Sequence, residues 1–76
     1  MENLKLYKLT SDLLKLQNEF YEIENQEDKR EIFYNKISPL ILEVDELIWE
    51  TMTGKMAEEA HINILKICKN MEEKVV

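Results

Sequence analysis

The sequence predicts an all-α fold, an antiparallel three-helix bundle with a Pro-kinked middle helix, and three observations lead there. Apolar residues recur at alternating spacings of three and four through most of the 76 residues. One Gly and one Pro are the only strong breakers in the chain. With 45% hydrophobic and 34% charged residues, the composition is that of a compact helical protein, since strands need turn residues that this chain lacks. One domain over residues 1–76 follows from the length. A chain this short buries only about 60% of the surface its unfolded form exposes, so association with another protein would stabilise it.

Leu6, Leu9, Leu13, Leu16, Phe20 and Ile23 carry the seam of a first helix, expected from about Leu4 to about Asn25. Thr10, Ser11 and Asp12 resemble a helix cap, but the apolar stripe passes through them unbroken. In the polar stretch that follows, Asp28 and Glu31 have the spacing of a capping box and predict the start of a second helix. Its seam is Phe33, Ile37, Leu40, Val44 and Leu47, broadened by Ile41 and Ile48. Pro39 removes one backbone donor and crowds the carbonyl four residues back, so a kink is expected at Ser38-Pro39. Because the phase of the stripe survives across Pro39, the chain should not reverse there.

A continuous helix through Thr51 to Met56 would point Ala57, Ala60, Ile64, Ile67 and Met71 roughly opposite to Ile37, Val44 and Ile48. One rod cannot turn both faces into one core. A break at Gly54 resolves the conflict, with Gly54 as a left-handed C′ residue and Thr51 or Thr53 supplying side-chain oxygens at the junction. The third helix then runs from about Lys55 to about Lys74. The alternative is a dimer of long rods with each face buried by a different partner.

Two further apolar rows lie off these seams. Tyr7, Leu14 and Tyr21 are spaced by seven on the first helix, and Leu42 and Trp49 are spaced by seven on the second. Each helix of a three-helix bundle touches two neighbours, so one reading is that these rows belong to the core. The other is a docking surface, because Tyr and Trp offer large rigid area with a polar tip. Beside Leu42 and Trp49 run Glu43, Glu46 and Glu50, with Asp45 close by and no Lys or Arg between Ile37 and Gly54. Most such rows are solvated faces. An aromatic anchor rimmed by acids also suits a protein partner with a basic surface.

The formal charge of −6 disfavours direct binding to nucleic acid or to an anionic membrane, both of which call for clustered Lys and Arg. Cys68 is the single cysteine, which excludes an intrachain disulfide. The opening residues lack the apolar run of a signal peptide, and a cytoplasmic location is expected. Glu58 and His61 have the i, i+3 spacing of a metal-binding pair, but di-iron sites of that kind need a second such pair and two more inward carboxylates. A homodimer would have to supply them. His61 is otherwise expected at the edge of the apolar face, and Cys68, roughly 10 Å along the axis from it, as a small core residue. No phosphate loop, Ser-His-Asp set or CxxC motif is present. The chain is therefore expected not to be an enzyme, and no cofactor or metal is expected.

"LYKLT" (Leu6 to Thr10) and "EE…NILKICKNMEE" (Glu58 to Glu73) together resemble a family of small, helix-rich siphophage proteins. The resemblance is confined to these two segments and brings no catalytic motif. It implies a phage or mobile-element context and helix-mediated association. The favoured expectation is an acidic helical interaction module that binds and modulates a host or phage protein, acting as an inhibitor and allowing self-association. The alternatives are an acidic nucleic-acid mimic that blocks a DNA- or RNA-handling protein, and a metal-dependent helical enzyme formed by dimerisation.

Overall fold

The computed structural model describes the backbone of residues 2–76 and the side chains of residues 4–76. Its elements are α1 (Glu2–Glu22), α2 (Gln26–Ile32), a π turn (Phe33–Ile37), α3 (Ser38–Thr51) and α4 (Gly54–Glu72), with no strand among the described residues. The all-α class is as the apolar spacing predicts. No helix among the described residues is long and apolar enough to cross a membrane.

α1 runs unbroken through Thr10, whose hydroxyl donates to the Leu6 carbonyl at 2.8 Å and so serves the helix from within. The cap of α2 differs from the expected Asp28/Glu31 box. Asn25 is the capping residue, in extended conformation, and its side-chain oxygen accepts from the Asp28 amide at 3.0 Å. Asp28 thus sits inside the first turn, where its carboxylate favours the positive helix end. Asn caps a helix about as well as Asp, so the earlier of two eligible residues prevailed.

α2, the π turn and α3 follow one another without a chain reversal. The π turn immediately precedes Pro39, and the Ser38 amide bonds the Phe33 carbonyl five residues back. The wider turn is a way to absorb a proline, because it relaxes the carbonyl ladder that the ring would otherwise strike. Phe33 and Ile37 remain fully buried through it.

At the other break, α3 ends at Thr51, its C-cap Met52 and Thr53 are both extended, and Gly54 has φ +60° as the first residue of α4. Gly54 does adopt the left-handed conformation, though it opens α4 instead of closing α3. The threonines do not cap as expected. The Thr51 hydroxyl donates back to the Leu47 carbonyl at 2.6 Å, and Thr53 makes no side-chain capping bond. The chain turns here, which excludes a single rod, and α4 packs on α3 with His61 against Asp45.

α1 packs on α3 and the π turn, and α4 packs on α3. One core results, made of Leu13 and Phe20 from α1, Phe33 and Ile37 from the π turn, Ile41, Val44 and Ile48 from α3, and Ala57, Ile64 and Met71 from α4. Val75, buried beyond the end of α4, completes it. There α2 holds the end of the chain: the Gln26 amide donates to the Lys74 carbonyl at 2.6 Å, and the Arg30 guanidinium donates to the Val75 carbonyl at 3.2 Å.

Candidate surface for protein docking

Leu42 is 66% exposed and Trp49 is 50% exposed on the outer face of α3. Within the chain Leu42 is left mostly uncovered and Trp49 is half covered. Successive residues turn about 100°, and α3 commits its Val44, Ile48 and Ile41 side to the core, which leaves Leu42 and Trp49 well round from it. One edge of the Trp49 ring rests on α4, with the His61 ring 5.3 Å away and tilted by 54°. His61 Nδ1 is 2.6 Å from Asp45 Oδ1. Imidazole with Nδ1 protonated and imidazolium both donate to that carboxylate, so the contact tolerates either charge state. The pair fixes one side of the Trp49 seat, and its hydrogen bond contributes about 1 kcal/mol.

The acidic row lies on the other side of Trp49. Glu43, Glu46 and Glu50 are exposed and line a shallow pocket with Leu47 and with Lys5 and Leu9 of α1. Asp45, which the sequence places next to this row, is drawn away from it to His61. Lys5 brings a cation into the pocket from another helix, which spacing along α3 could not reveal.

Tyr7, Leu14 and Tyr21 are 77%, 52% and 44% exposed, so they too lie outside the core. The structure does not join them to the α3 face. Lys5 lies two residues from Tyr7, which is about 200° around α1, so the acidic pocket and the tyrosine row occupy opposite flanks of that helix. A separate apolar cleft of about 220 Å³ lies between α1 and α4. Val44, Ile48 and Met52 form its floor, with Leu6 and Thr10 on one wall and Ala60 and Ile64 on the other. The eight residues singled out from sequence therefore form two surfaces.

No family model, curated protein or solved structure matches this chain. The chemistry of the surfaces has to be read from the residues themselves.

Two exposed apolar residues of α4, Ile62 and Leu65, escaped the sequence reading. Leu65 lies one turn beyond His61, and that i, i+4 spacing places it on the same flank as the Trp49 seat. Glu58 is exposed. Among the described residues no three His, Cys, Asp or Glu side chains converge as metal ligands.

Cys68 is half-buried against the core. Burial, and secondarily the carboxylate of Glu72 one turn on, hold its thiol above the ordinary cysteine range. Less thiolate is then present in the folded chain at any given pH near neutrality. Iodoacetamide at pH 8 should accordingly modify Cys68 several-fold more slowly in the native protein than in urea, the gap narrowing as pH rises. Equal rates read by intact-mass spectrometry would show the thiol to be free of both influences.

Proposed function

We propose that the chain is an antiparallel three-helix bundle with a kink at Pro39, serving as a non-enzymatic interaction module. It binds and modulates a protein partner with a basic surface. The observation that carries this reading is the exposure of Leu42 and Trp49 beside Glu43, Glu46 and Glu50. A large aromatic residue held on one side by His61 loses little freedom when covered, and a rim of carboxylates steers a cationic partner and fixes its register. The resemblance to siphophage proteins makes a phage or mobile-element protein, acting as an inhibitor in the cytoplasm, the setting that fits these features.

The test is affinity capture with wild-type chain and with Trp49→Ala combined with Glu46→Lys. Partners should be retained by the first, lost from the second, and released by raised salt. Truncating a central aromatic anchor costs about 2 kcal/mol or more in binding, which is roughly a thirtyfold loss of affinity. If every captured protein survives the double substitution, the α3 face is not the docking surface. The exposed carboxylates Glu43, Glu46 and Glu50 also favour a second reading, a decoy of the phosphate backbone. It predicts that double-stranded DNA or RNA competes for the captured partner.

A further inference from the structure

Folding α4 back onto α3 adds a third apolar residue to the docking face and gives that face a direction. His61 meets Asp45. Leu65 lies four residues beyond His61, and Leu42 three residues before Asp45. At 1.5 Å of rise per residue, the two leucines stand about 6 and 4.5 Å along from that contact, on the same side of it. Trp49 stands about 6 Å to the other side, its ring tilted on His61. Leu42 and Leu65 therefore flank one end of a shallow seat along α3, and Trp49 occupies the other, with exposures of 66%, 49% and 50%.

The repeat along this seat is that of a helix. Leu42 and Trp49 are seven residues apart, about 10.5 Å of rise, which is also the distance between positions i and i+7 on one face of a second helix. A strand spaces its same-face side chains about 6.6–6.8 Å apart, and residues three apart, whose rise of about 10 Å would fit, point to opposite faces. Beside the apolar row, Glu43, Glu46 and Glu50 follow at intervals of three and four, again the helical repeat. Lys5 offsets part of their charge, and three carboxylates against one ammonium leave a surplus of two.

The geometry points to an amphipathic helix, with Lys or Arg along one flank of its apolar stripe, as the segment the partner presents; this rests on the docking face proposed above. The stripe covers Leu42, Trp49 and Leu65, and the cations lie over the glutamate row. Three side chains make a small apolar seat, so the charges carry a large share of the affinity and salt weakens it.

The probe is a Trp-free, fluorescein-labelled peptide of about 18 leucine, alanine and lysine residues, with leucine at every a and d position and lysine along one flank. A permuted peptide of the same composition, whose leucines share no helix face, is its control. By fluorescence anisotropy the first should bind at least about tenfold more tightly than the second, and it should shift Trp49 emission to the blue. Leu42→Lys should weaken it by a similar factor, whereas Tyr7→Lys, the same charge change on the separate α1 row, should bind as the wild type does. Equal affinities for the two peptides, both weakened by Leu42→Lys alone, would overturn the helix and leave a basic partner at this face standing. Weakening by Tyr7→Lys as large as by Leu42→Lys would overturn both, because net charge alone would then attract the peptide. Failure of either peptide to bind would overturn the helix, and the affinity capture described above would then decide the wider reading.

Discussion

Val44→Asp is expected to unfold the chain at neutral pH. Val44 is 1% exposed and lies in the floor of the cleft between α1 and α4, where the buried core residues are apolar and the polar side chains at the cleft, Thr10 and Asn63, carry no charge to pair with. A carboxylate there gives up its hydration without a partner, at an effective cost of several kcal/mol. A chain of this length commands only about 4–11 kcal/mol in total. The same chemical group is tolerated one residue away on either side, because Glu43 is exposed and Asp45 meets His61. Far-UV circular dichroism with a urea titration provides the readout. A cooperative transition near the wild-type midpoint would mean that water reaches Val44 through the cleft and that α1 and α4 do not close on it.

Phe20→Ala should be the most damaging apolar truncation, at about 3–5 kcal/mol. Phe20 is fully buried near the end of α1, its ring 6.2 Å from that of Phe33 and tilted by 52° to it. The ammonium group of Lys29 sits 5.3 Å from the Phe20 ring centroid, within range of a cation–π attraction. One ring therefore links α1, the first turns of α2 and the π turn, and no single neighbour can refill its volume. At about 4–8 °C per kcal/mol for a domain of this size, the melting temperature should fall by more than about 12 °C. Calorimetry showing a drop of only a few degrees would place the weight of the core elsewhere.

The seams were legible because burial repeats with the helix. Leu13, Phe20, Phe33, Ile37, Val44, Leu47, Ala57, Ile64 and Met71 are all seam positions in the sequence, and all are buried. The turn at Gly54 was legible for a related reason, since two apolar faces out of phase cannot share a rod. What escaped is set by register between helices, which no spacing within one helix encodes. Asp45 read as one more member of an acidic row until α4 brought His61 to it. Lys5 had no place in the sequence reading of that row, because only the packing of α1 lays it beside Glu43, Glu46 and Glu50. The fate of Leu42 and Trp49 was open for the same reason, since whether a broad apolar face is covered depends on where its neighbours sit around α3. The shift of the cap from Asp28 to Asn25 has a local origin, two equally good capping residues three apart.

The two bonds from Gln26 and Arg30 to the carbonyls of Lys74 and Val75 join residues 48 and 45 positions apart. Helix ends ordinarily fray, and their amides exchange with deuterium long before the rest of the molecule opens. Here the final turn can loosen only by parting from α2, so its fraying is tied to a remote segment. Slow exchange at Val75 and Val76, whose amides bond the Glu72 carbonyl, would make the last residues a gauge of whether the whole chain has finished folding.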